Sequence, residues 1–74
     1  MSRLPSLNGE QIVEALGRAG FQVLRQKGSH IYLRHRDGRA TVVPMHKGES
    51  VGRGLLRKII RDADVSREEF LELL

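Results

Sequence analysis

The 74-residue chain contains no cysteine. Disulfide staples and thiolate metal sites are therefore excluded, an absence that fits a reducing cytoplasm. No uncharged apolar run approaches the roughly 18 residues of a membrane span, and Met1-Ser2-Arg3-Leu4-Pro5 lacks the apolar core of a signal peptide. Metal ligands are scarce as well. No carboxylate pair stands at ligand spacing, and His30 and His35, five apart on one strand, point to opposite faces and cannot share an ion. The expectation is a cytoplasmic protein with no membrane association, no metal and no small-molecule cofactor. At this length residues 1–74 make one domain, near the lower end of what folds without staples.

What the chain has in quantity is positive charge, unevenly placed. The formal net charge is +4. Between Arg25 and Arg61 stand ten Lys or Arg against only Asp37 and Glu49, and the other seven acids lie outside that segment. A basic middle flanked by acidic ends is the footprint of a polyanion-binding face, although a small basic domain can carry such charge merely as a solvated surface.

Apolar spacing and turn residues divide the chain. Residues 1–6 read as a loose tail. Asn8 is placed to cap a helix, Gln11 completes a capping box, and Leu7 can staple onto Ile12. Ile12, Ala15, Leu16 and Ala19 recur at helical spacing, which predicts a helix over about residues 9–19, stopped by Gly20. Phe21–Lys27 reads as a strand with Phe21 and Val23 facing in. A second strand, His30–His35, puts Ile31, Leu33 and His35 on one face and His30, Tyr32 and Arg34 on the other. Asp37-Gly38 signals a hairpin into a third strand, Arg39–Val43, ended by Pro44. Residues 45–52 read as a basic, glycine-bearing loop. Leu55, Leu56, Ile59, Ile60 and Ala63 form the apolar face of a second helix over about residues 53–63, with Arg53, Arg57 and Arg61 in a one-sign stripe opposite. Ser66 with Glu69, and Val65 against Phe70, start a short last helix. The fold class is α+β, in the order α-β-β-β-α: a three-stranded antiparallel meander with helices on one face and the other face solvated.

The stretch Lys27-Gly28-Ser29-His30 stands out. Gly28 can supply the positive φ of a tight hairpin turn, and His30 begins the next strand on the open face beside Lys27 and a hydroxyl. Histidine can move protons near neutral pH. On geometry alone, a histidine at a strand start is more often an exposed polar residue than a catalyst.

The order of elements is that of the double-stranded-RNA-binding domain, and the residues resemble the small HicA (YcfA-like) toxins of prokaryotic toxin–antitoxin pairs. The resemblance rests on the helix running into Ala19-Gly20-Phe21, on Lys27-Gly28-Ser29-His30, on Val43-Pro44-Met45-His46-Lys47-Gly48, on Gly54 to Ile60 and on Val65-Ser66. It covers about Leu7 to Phe70, with the Gly-Ser-His element its most specific part. The chain departs from the family at Leu55, where threonine is usual, and at Asp64, where glycine is favoured. The resemblance implies a type II toxin acting as a ribosome-independent endoribonuclease on messenger RNA (an mRNA interferase), with His30 in the catalytic position and a HicB-type antitoxin as inhibitor.

RNA carries its own nucleophile in the 2′-OH, so cleavage needs a base, a proton donor for the leaving oxygen and cations for the phosphorane, without a metal. His30 can be the base. Lys27, the backbone at Gly28, Ser29, Lys47, Arg53, Arg57 and Lys58 are the candidate RNA contacts, with the antitoxin as the alternative partner of Arg53, Arg57 and Lys58. His46 in its loop and Tyr32 on the His30 face are further candidates, for proton transfer and base stacking. Two rivals stand beside this reading: a non-catalytic RNA-binding module of the same fold, and a domain whose basic face only meets an acidic partner. The two-residue loop Gly28-Ser29 is too short for the arm that lets a duplex reader span about 16 base pairs.

Overall fold

The computed structural model describes residues 3–74. Its elements are β1 (Leu7–Asn8), α1 (Gly9–Arg18), β2 (Phe21–Lys27), β3 (His30–His35), β4 (Ala40–Pro44), β5 (Ser50–Val51), α2 (Arg53–Ala63) and α3 (Arg67–Glu72). β2, β3 and β4 form an antiparallel meander in that spatial order. The class, and the α-β-β-β-α order of the main elements, are those read from the sequence; β1 and β5 stand in addition to them.

Local chemistry accounts for each boundary. The Asn8 side chain accepts from the Gln11 amide at 2.8 Å while the Gln11 side chain accepts from the Asn8 amide at 2.9 Å, a closed capping box. Ser66 and Glu69 make the same reciprocal pair ahead of α3. The helices then bury one stripe each. Ile12 and Leu16 from α1, Leu56 and Ile59 from α2, and Phe70 from α3 meet Leu33 and Val43 of the sheet, all essentially sealed from water. Thr41, a buried polar residue on that face, donates to Asp62 at 3.2 Å and so meets the demand that buried polar groups be paired.

Three features depart from the sequence reading. Val23 pairs with Leu33 but is 53% exposed. β2 is an edge strand that outruns the helical cover, and the pairing slips between Val23 and Arg25, so Leu24 bulges out unpaired and 61% exposed. Residues 45–52 are not all loop: β5 pairs with β1, Leu7 opposite Val51 and Asn8 opposite Ser50. Burial of Leu7 and Val51 drives this bridge, and a strand of two residues shows no alternation by which a sequence could announce it. In the stretch expected as a loose tail, Leu4 is buried in the common core; Met1 and Ser2 of that stretch lie outside the described residues.

Gly9 shows how tightly the layers meet. It opens α1 where the helix crosses the end of β4, and a Cβ there would collide with the Pro44 carbonyl oxygen and press on Met45 at 3.2 Å. That close approach ties α1 to the strand end next to the β2–β3 hairpin.

Candidate active site

Lys27 and His30 are the closing pair of the β2–β3 hairpin, with Gly28 and Ser29 as its two-residue loop. Gly28 has φ +60° while Ser29 is not in the positive region, the sign pattern of a type II′ turn with glycine first. The side chain of Gln26 reaches over the turn to the Gly28 carbonyl at 3.1 Å, and the Met45 amide donates to the Ser29 carbonyl. The second bond carries the β3–β4 ladder one step past Pro44 and pins the turn to the loop bearing His46 and Lys47.

His30 lies on the open face of the sheet, exposed, with Lys27 on one side and Pro44 on the other. Among the described residues its ring has no hydrogen bond, ion pair or ring partner, so a nitrogen lone pair is available to a ligand. The next row on this face is Arg25, Tyr32 and Val42. The Arg25 guanidinium sits 4.7 Å from the Tyr32 ring centroid, a cation–π contact that covers one face of the only tyrosine.

Pro44 links this row to α2. It also lines an open cavity of about 220 Å³ with His46, Glu49, Ser50, Val51, Gly52 and Leu55. α2 starts here at Gly52 with no side-chain cap and no acidic residue in its first turn, so its leading amides and the positive end of its dipole stay open. Arg53 stands at that start, and Leu55 is 41% exposed in the same turn. A second cavity of about 200 Å³ lies between the start of α1 and the loop, lined by Asn8, Gly9, Glu10, Met45, His46, Lys47 and Gly48.

Of the candidate RNA contacts, Lys27, Gly28, Ser29 and His30 are brought together in the hairpin, and Lys47 is in the loop anchored to it. Lys58 is drawn into an ion pair with Asp62 at 3.0 Å. Arg57 borders a different recess, described below.

His35 belongs elsewhere. Its ring packs edge-on against Phe21, 5.3 Å between centroids, on the covered side of the sheet. The Asp37 amide and a carboxylate oxygen of Asp37 both lie 3.1 Å from Nδ1. The two contacts call for opposite protonation of that nitrogen. The amide's direction is set by the turn, so the Asp37 amide donates to Nδ1, whereas the carboxylate is held by the Arg39 amide at 3.0 Å and the Arg39 Nε at 2.8 Å. The Asp37 carboxyl is held below its ordinary range, the Arg39 backbone N–H contributing most, desolvation opposing it next, and the Arg39 side chain and then the nearby His35 lowering it further. Arg39 continues to the Ala63 carbonyl at 2.6 Å, joining the β3–β4 hairpin to the end of α2. The cluster is a structural clasp.

A family model described as "HicA toxin of bacterial toxin-antitoxin" matches residues 9–65. The chain belongs to the HicA toxin family. No curated protein matches it. HicA proteins are toxins of toxin–antitoxin systems and in general ribonucleases, which agrees with a basic α+β domain carrying an exposed histidine on an open sheet face. The HicA match spans every element from α1 to α2 and includes the hairpin, the β4 end and the start of α2. In this HicA chain Asp64, which ends α2, has φ +54°, a backbone conformation that favours glycine. No helix among the described residues is long and apolar enough to cross a membrane.

Proposed function

We propose that the chain is an mRNA interferase: a cytoplasmic, ribosome-independent and metal-independent endoribonuclease with His30 as its one catalytic residue, held in check by a HicB-type antitoxin. The observation that carries this reading is the unengaged, exposed ring of His30 beside Lys27 on the open face. Neutral His30 takes the proton of the 2′-OH. The 2′-oxygen attacks the adjacent phosphorus, and the 5′-oxygen leaves with a proton from the imidazolium or from water. The products are a 2′,3′-cyclic phosphate and a 5′-hydroxyl, and atoms balance without a metal or an added nucleophile.

Lys27 stabilises the phosphorane charge, and the backbone around Gly28 and Ser29 allows the phosphate to approach closely. From His30 the strand of RNA runs across Pro44 toward the open amides of α2 and Arg53, with Lys47 as a further contact. That helix end, lacking a cap or an acid, is suited to the next phosphate. Lys58, paired with Asp62, adds only long-range charge. Tyr32, with Arg25 on one face, offers the other to a base.

The test is cleavage of a single-stranded RNA and of the same RNA with 2′-deoxy sugars, each with and without EDTA. Cleavage of the RNA alone, unaffected by EDTA and leaving a cyclic phosphate, is expected. Cutting of the deoxy substrate, or loss of activity in EDTA, would overturn the mechanism. Tight binding without cleavage would favour the non-catalytic RNA-binding module.

A further inference from the structure

Arg57 and Arg61 stand one turn apart on the exposed side of α2. Together with Arg67 they rim a shallow recess of about 270 Å³ whose floor is Leu4, Ile60 and Val65. The floor is part of the core surface: Leu4 and Ile60 are buried, and Val65 packs on the same cluster. Among the described residues no carboxylate lines the recess.

Four other cations are occupied. Lys58 holds Asp62, Arg39 holds Asp37 and the end of α2, Arg18 donates to the Leu73 carbonyl, and Arg25 lies over Tyr32. Arg57 and Arg61 have no ion pair or hydrogen bond among the described residues. Like charges one helical turn apart repel, so an anion placed between them is favoured twice over. Asp62, the nearest acid in sequence, is turned to Thr41 and Lys58 instead.

We propose that this recess docks an acidic segment of a partner protein. One aliphatic side chain of the segment rests on the Leu4–Ile60–Val65 floor, and carboxylates on either side of it are held by Arg57 and Arg61. Guanidinium groups bind carboxylates in paired, charge-assisted hydrogen bonds. An apolar centre ringed by charge is the anatomy of a protein–protein anchor point. An RNA strand would use the cations and leave the floor empty, since no aromatic ring lines the recess for a base to stack on. None of the residues lining it lies in the hairpin that carries His30. A partner anchored here keeps a hold on the molecule that does not depend on competing with RNA at the hairpin. In naming the antitoxin as the natural source of such a segment, the proposal rests on the toxin reading; the docking itself does not.

The test is methyl NMR of the full chain carrying His30→Ala, which leaves RNA uncut. The probes are a short peptide of glutamates flanking one leucine, the same peptide with glutamine for glutamate, the same with alanine for leucine, and a single-stranded RNA oligomer. The Glu/Leu peptide should shift the Leu4, Ile60 and Val65 methyl signals, and the glutamine and alanine versions should bind more weakly. Arg57→Ala with Arg61→Ala should lower its affinity about tenfold, as loss of two charge-assisted contacts implies. The same charge change at Arg34 and Arg36 should have a much smaller effect.

Equal binding of the alanine peptide, an equal loss from the Arg34/Arg36 variant, or floor signals that move with RNA and not with the peptide would each overturn the proposal. Should the double variant misfold, the comparison of the three peptides on the parent chain still decides. RNA cleavage is measured separately with His30 present. Absence of cleavage leaves the methyl result standing, and absence of the methyl shifts leaves the cleavage result standing.

Discussion

Lys27 and His30 are cross-strand partners on the open face, separated along the chain only by the turn that positive φ at Gly28 makes possible. The pairing sets an ammonium beside an imidazole without burying either, so on the proposed reading the two act on one phosphate while contributing little to the fold.

The two side chains should therefore separate activity from stability. His30→Ala should reduce RNA cleavage by about 10²–10⁴, the range of a general base, and Lys27→Ala by about tenfold, a smaller loss because the ammonium is solvent-screened. Neither should change unfolding free energy by more than about 0.5 kcal/mol, as both are exposed and outside the core. Cleavage rates and denaturant midpoints on the same samples check this. A large loss of stability in His30→Ala would mean that the histidine is structural.

Much of this arrangement is legible in the sequence because its signals are local. The capping boxes at Asn8/Gln11 and Ser66/Glu69 and the Gly28-Ser29 turn are short-range rules that tertiary packing left intact. The alternation in His30–His35 placed His30 outward correctly for the same reason, since β3 is the central strand and both its neighbours enforce the pleat. Val23 failed because inward direction is not burial. At an edge strand the cover depends on where a helix ends, which the strand's own residues do not encode. Leu4 and Val51 are long-range events, one buried residue each, with no period to read. The recess at Arg57 and Arg61 needed Leu4 in place before it could be seen.

Gly9→Ala is a case where two effects oppose. Alanine is the better helix former, by about 1 kcal/mol in a helix interior and by less at the first position, which Gly9 occupies. Its methyl group, however, would meet the Pro44 carbonyl oxygen, a backbone atom that cannot swing away as a side chain can. Overpacking of this kind costs about 1–3 kcal/mol. The collision should win, giving net destabilisation of up to about 2 kcal/mol by chemical denaturation. An unchanged or raised midpoint would show that α1 can shift away from β4.

Acid should loosen the clasp between the β3–β4 hairpin and α2. The Asp37 carboxyl is held below its ordinary range, chiefly by the Arg39 backbone N–H and then by the Arg39 side chain. A group whose folded pKa is depressed adds stability that is present above its unfolded value, about 4, and that is lost as pH falls through the folded value. Glu69, held low by the Ser66 amide and hydroxyl, acts in the same direction. Asp37→Asn should therefore melt lower than the parent near neutral pH and converge with it as pH falls below the lowered folded value, because the parent has by then lost the same charge. Parallel melting curves across that range would remove Asp37 from the acid response.

Asp64 offers the opposite change, a substitution that should stabilise. It ends α2 in the left-handed region at φ +54°, the one non-glycine residue among those described with a positive φ. The conformation costs an L-residue with a Cβ up to about 1–2 kcal/mol, less for Asp than for most. Its carboxylate also sits at the negative end of the α2 dipole, where a cation is preferred. Glycine removes both penalties while adding chain entropy to the unfolded state, which takes back about 0.4–1 kcal/mol. The Asp64 amide bonds to the carbonyls of Ile60 and Arg61 use backbone alone and survive the change. Asp64→Gly should thus raise the unfolding free energy by about 0.5–1 kcal/mol, with RNA cleavage unaltered because Asp64 is at the far end of α2 from Gly52. Asp64→Asn separates the two causes: it keeps the Cβ and removes the charge, so its gain reports the dipole alone. If glycine destabilised the protein, the carboxylate would have to be holding a partner of its own.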